Sequence, residues 1–130
     1  MRIVVLSDIH SNLEALDAVL ERARDEGAQA TYVLGDIVGY GADPNAVIER
    51  LIEQPAAVLI AGNHDLAATG RFDTEWFNPV AAQAITWTES VLDPDARALL
   101  TRRLRRSNIQ PAIDGHRVGA HDLRPESLRK

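Results

Sequence analysis

Three short apolar runs, Ile3 to Leu6, Thr31 to Leu34 and Ala57 to Ile60, mark the first half of the chain. They lack the alternation of a half-solvated strand, which predicts strands buried on both faces and paired in parallel. Between the first two runs, Leu13, Leu16, Leu20 and Ala23 fall on one helical stripe. Ser11-Asn12-Leu13-Glu14 fits a capping box at its start, and Gly27 closes it. Between the second and third runs, Asp43-Pro44 supplies a cap followed by proline, and Val47, Ile48, Leu51 and Ile52 supply the apolar face. The order is β-α-β-α-β. The cap-plus-proline device returns at Asn78-Pro79 and Asp93-Pro94, predicting helices near 79–91 and 94–106 that cover the sheet. Beyond Pro111, Ile113-Asp114-Gly115-His116-Arg117-Val118 reads as a tight turn between two short strands, the second ending near His121. Residues 122–130 are polar and basic, and are expected to be loosely held.

Composition narrows the class. The chain has 130 residues, 45% of them hydrophobic and 25% charged, as in one globular α/β domain spanning residues 1–130. No apolar run approaches the roughly 18 residues that cross a bilayer, and Met1-Arg2 leads straight into Ile3 without a signal peptide. A cytoplasmic protein without membrane association is the expectation. With no cysteine, any metal must be held by His, Asp, Glu or Asn. The net charge of −5 hides a split: residues 1–96 hold 16 acidic and 5 basic side chains, and residues 97–130 hold 3 and 9. The basic stretch from Arg102 to Arg106 is read as a solvated face or as ion-pair partners for the acidic body, ahead of a nucleic-acid contact.

In a parallel α/β sheet, ligands bind where the strands end and the loops diverge. Here the first run is followed by Ser7-Asp8-Ile9-His10, the second by Gly35-Asp36 and the third by Ala61-Gly62-Asn63-His64-Asp65. Taken singly, Asp8 is an ordinary helix-entry residue and Asn63 an ordinary turn residue. Their coincidence at three successive strand ends points to a shared ligand. Asp8 and His10, two apart in an extended segment, face the same side and can chelate one ion. Asp36 has two carboxylate oxygens and can bridge two ions, and Gly35 and Gly62 permit close backbone approach. Oxygen and imidazole donors without sulfur suit Mn²⁺, Fe, Zn²⁺, Co²⁺ or Ni²⁺. Two such ions about 3.5–4 Å apart form a clamp for in-line displacement at phosphorus.

Asp8-Ile9-His10, Gly35-Asp36 and Gly62-Asn63-His64-Asp65 together resemble the calcineurin-like metallophosphoesterase superfamily, whose signature runs D-x-H, G-D, G-N-H-D/E, then His, then G-H-x-H. The run from Leu34 to Gly41, Asp43-Pro44-Asn45 and Phe77-Asn78-Pro79 look like its small bacterial branch of phosphoesterases and protein phosphatases, and the likeness extends over residues 2–121. The resemblance implies a four-layer αββα sandwich and hydrolysis of a phosphate ester by a hydroxide activated between two divalent metal ions. It implies that Asp8 and His10 hold one ion, Asp36 bridges both and Asn63 holds the second. His64 would protonate the leaving-group oxygen or stabilise charge there, oriented by Asp65. His121 matches the family's next ligand, although the chain continues Asp122-Leu123-Arg124 where the family has Gly-Ser-Pro-Arg.

The sequence ends at Lys130 without a Gly-His-x-His element. Two expectations follow: each metal lacks one ligand, and the second sheet is incomplete, leaving an open apolar surface that a second copy of the chain would cover. The outcome is an active hydrolase, one that borrows ligands from a partner subunit, or a catalytically silent metal-binding or assembly module. Other aspartate-dependent classes fit less well. A haloacid-dehalogenase-type phosphatase needs an acidic residue where His10 stands, and a receiver domain needs an aspartate at the exit held by Asn63. No glycine-rich nucleotide loop follows any strand.

Overall fold

The computed structural model describes residues 1–105; the expected hairpin over 113–121, with His116 and His121, lies outside them. Three parallel strands form the sheet: β1 (Ile3–Leu6), β2 (Ala30–Val33) and β3 (Val58–Ile60). A two-residue strand, β4 (Leu104–Arg105), adds in parallel to β3, giving the order β1-β2-β3-β4. The expected helices α1 (Leu13–Asp25), α2 (Pro44–Ile52), α4 (Pro79–Val91) and α5 (Pro94–Arg103) are present, joined by α3 (Asn63–Ala68) and a 3₁₀ turn at Thr74–Trp76.

Local chemistry sets most of these boundaries. The Asn12 side chain accepts from the Ala15 amide to start α1, and Asn78 accepts from Ala81 to start α4. At the far end of α1, Gly27 lies at φ 76° and donates to the Arg24 carbonyl, while the Ala28 amide reaches back to the Ala23 carbonyl. That pair of bonds is a Schellman motif, which requires the left-handed conformation glycine adopts without strain. The last helix stops at Arg103 rather than near 106, because Leu104 and Arg105 pair with Leu59 and Ile60 and the sheet takes over their backbone bonds.

An order without reversal, built with right-handed crossovers, places the connecting helices on one face of the sheet. Val33 and Leu59 on that face are buried with Leu16, Leu20, Val47, Ile48, Leu51, Ile85 and Leu100. The opposite face is open, with Ile3 at 41%, Val5 at 56% and Tyr32 at 37% exposure. The expectation of strands buried on both faces therefore fails for β1, whose residues alternate between exposed and half-buried. A continuous apolar run cannot distinguish a strand covered on two faces from one covered on one. Among the described residues, the parallel sheet with helices packed on one face is the α/β arrangement expected of a partial sandwich.

Candidate metal centre

The three strand exits are brought together by backbone pairing that continues past the strands. The Asp8 amide donates to the Gly35 carbonyl at 3.1 Å, His10 to Asp36 at 3.0 Å and Ser11 to Ile37 at 2.9 Å. Asp8 and His10 thus run beside Asp36. From the third exit, the His64 amide donates to Asp36 Oδ1 at 3.2 Å, at the first turn of α3. One ligand atom from each of Asp8, His10 and Asp36 lies within 4.8 Å of the others. Asn63, adjacent in sequence to His64, is buried at the start of α3.

The donor set fits a divalent ion. His10 Nδ1 lies 3.0 Å from the Val38 carbonyl, so it carries the proton and leaves the Nε2 lone pair, 3.8 Å from Asp8 Oδ1, available to a metal. The close packing also needs Gly62, since a Cβ there would lie 2.2 Å from Asp36 Oδ1 and 2.4 Å from its amide nitrogen. Backbone strain gathers here as well. Asp8, His10, Ser11, Asp36 and Tyr40 all have φ between 48° and 58°, and Ala56 is the one other such non-glycine among the described residues. Strain of this kind persists where the surrounding fold over-determines the backbone, and it clusters at functional sites.

His64 and Asp65 sit directly behind the carboxylates. His64 is buried, its Nδ1 has no hydrogen-bond partner among the described residues, and its ring packs on Tyr40 and Phe77 at centroid distances of 5.0 and 5.1 Å. Burial, assisted by the neighbouring His10, holds its pKa down at about 4, so it is neutral at pH 7. Asp65 is fully buried and spends its carboxylate on the main chain. Oδ1 accepts from Ile37 and Val38 at 2.9 and 3.0 Å, and Oδ2 accepts from Gly62 at 2.9 Å. Burial pushes its pKa up to about 7, against the pull of those three donors. These three bonds tie the second exit to the third, and none of them goes to the His64 ring.

The sequence reading assigned nothing to Tyr40, which is half exposed and packs on His10 and His64, both at 5.0 Å. The glycines on either side were its signal. A Cβ at Gly39 would lie 2.5 Å from His64 Nδ1, and one at Gly41 would lie 2.2 Å from the His10 carbonyl. An open cleft of about 580 Å³ runs from Asp8 and His10 past Tyr40 to Glu14 and Asp43.

Comparison with known proteins agrees with this geometry. Residues 1–112 match the family model described as calcineurin-like phosphoesterase. The chain is 48% identical over 90 residues to the uncharacterized protein MJ0912 of Methanocaldococcus jannaschii, covering 69% of this chain and 37% of that protein. It is 36% identical over 74 residues to the phosphodiesterase YfcE of Escherichia coli K12, covering 50% and 40%. A metallophosphoesterase from Sphaerobacter thermophilus superposes with a TM-score of 0.64 at 40% identity, over 81% of this chain and 41% of that one. The protein PH1004 of Pyrococcus horikoshii OT3 superposes with a TM-score of 0.66 at 26% identity, over 78% and 47%. The chain spans less than half the length of each of these relatives. With strand exits, ligand types and family model in agreement, this chain belongs to the calcineurin-like phosphoesterase family.

Proposed function

We propose that this protein is a metal-dependent phosphoesterase that hydrolyses a phosphate ester at a dinuclear site. The observation that carries the reading is the convergence of Asp8, His10 and Asp36 within 4.8 Å at adjacent strand ends. Asp8 and His10 would hold one ion, Asp36 would bridge and Asn63 would serve the second, with His121 as a further ligand from beyond the described residues. Divalent ions held there would supply Lewis acidity toward phosphate oxygens and an activated water. His64, neutral and wedged behind the carboxylates, would donate a hydrogen bond toward the leaving-group oxygen rather than a full positive charge. Asp65 would act by holding the loop that carries His64. Mn²⁺, Fe, Zn²⁺, Ni²⁺ and Co²⁺ all suit these donors, and a cytoplasmic setting suits such an enzyme.

A second reading, a silent metal-binding or assembly module, is favoured by the open sheet face of Ile3, Val5 and Tyr32, which a second copy of the chain would cover. Hydrolysis of p-nitrophenyl phosphate and its bis ester, with each metal added in turn, separates the two readings. Turnover by the wild type that is lost in Asp36→Asn supports the enzyme; equal background in both supports the module.

A further inference from the structure

Tyr40 occupies an expensive position. Its φ is 58°, and a three-residue turn closes around it as the Gly41 amide donates to the Gly39 carbonyl at 2.7 Å. A γ-turn with positive φ is rare and strained, and a bulky side chain at its centre gains nothing locally. The flanking glycines have no room for a Cβ, since His64 and the His10 backbone press against them. The turn is therefore fixed from both sides, and the ring it displays is fixed with it.

That ring is the outer end of an aromatic row. Behind it stand His64, then Phe77, then Phe72, with successive centroids 5.0, 5.1 and 5.9 Å apart, and His10 packs against both Tyr40 at 5.0 Å and His64 at 4.8 Å. Phe77 is buried, whereas Tyr40 is 50% exposed and borders the cleft beside Asp8 and His10. A half-exposed aromatic face held rigid loses little entropy when a flat ligand stacks on it. At about 580 Å³ the cleft has room for more than a phosphate group. The acidic rim of Glu14 and Asp43 would repel additional phosphates, which leaves an uncharged planar group as the natural occupant.

We propose that Tyr40 is a specificity residue that stacks on a planar aromatic group, aryl or nucleobase, carried by the phosphate ester bound at the Asp8–His10–Asp36 site. The proposal rests on the phosphoesterase reading for the identity of the bound group, but its test is binding. Calorimetry with Mn²⁺ present would compare methyl-, cyclohexyl- and phenylphosphonate, and the non-hydrolysable phosphonate isosteres of AMP and ribose 5-phosphate. The wild type is expected to prefer the aromatic ligand in at least one set by roughly 10-fold. Tyr40→Phe should keep that preference, and Tyr40→Leu, folded with an unchanged thermal midpoint, should lose it. A preference in the phenyl set assigns an aryl ester; one confined to the AMP set assigns a nucleotide. No aromatic preference in the wild type, or one that survives in Tyr40→Leu, overturns the proposal. Aromatic-selective binding without turnover of p-nitrophenyl phosphate or its bis ester, whichever metal is added, would sink the hydrolase reading and leave this one standing.

Discussion

His10 donates its Nδ1–H to the carbonyl of Val38, 3.0 Å away and 28 residues later in the chain. The bond selects the tautomer and turns Nε2 toward Asp8 and Asp36, so metal affinity depends on the loop after β2 as well as on the ligands themselves. Removing such an imidazole should weaken Mn²⁺ binding by roughly 10–100-fold or more. Titration of Mn²⁺ into His10→Ala, followed by calorimetry, checks this; an affinity equal to wild type would exclude His10 as a ligand.

Gly62→Ala should be destabilising and should also loosen the site. The new methyl would fall 2.2 Å from Asp36 Oδ1, so either the carboxylate or the start of α3 must move. Overpacking of this kind costs about 1–3 kcal/mol. Urea denaturation of the metal-free protein reads the first effect, and Mn²⁺ affinity reads the second.

In the metal-free protein, His64 and Asp65 tilt stability with pH in opposite directions. The pKa of His64 lies at about 4 when folded against an ordinary 6.5, so its contribution is complete above about pH 6.5 and is lost as pH falls toward 4. Asp65 lies at about 7 against an ordinary 3.8, so its contribution is complete at acid pH and is lost as pH rises toward 7. Relative to His64→Gln, the wild-type thermal midpoint should drop on acidification. Relative to Asp65→Asn, it should drop as pH is raised, and a reversed slope in either comparison refutes the corresponding assignment.

Asn45 clasps two distant segments. Its Nδ2 donates to the Val91 carbonyl at 2.9 Å and its Oδ1 accepts from the Asp93 amide at 2.8 Å, fixing the junction of α4 and α5 against α2. Asn45→Ala leaves both main-chain groups without these partners and should cost about 1–3 kcal/mol in chemical denaturation. Mn²⁺ affinity should be unchanged, because the two bonds go to Val91 and Asp93 and not to Asp8, His10 or Asp36.

Short-range signals were enough to locate α1, α2, α4 and the start of α5. Asn12 and Asn78 start helices through their own side-chain caps, Pro44 and Pro79 through their fixed φ, and Gly27 ends one through its own left-handed backbone. Helix α3 went unrecognised, since Asn63 to Ala68 is six residues long, lacks a side-chain cap and follows a glycine. Its start is held by the Asp65 carboxylate receiving the Gly62 amide, and by Asp36 receiving that of His64. Both carboxylates belong to a network that exists only after β2 and β3 have paired.

The same division runs through the site. Linear order was enough to say which chemistry gathers at the strand ends, because parallel strands carry whatever follows them to one edge, and Asp8, His10 and Asp36 follow them. It took the folded chain to show that Asp65 serves backbone amides, that one face of the sheet stays open at Val5, and that Tyr40 packs on both imidazoles. Caps and turns depend on neighbours in the chain. Burial, acceptor sharing and strain depend on neighbours in space, which linear order does not specify.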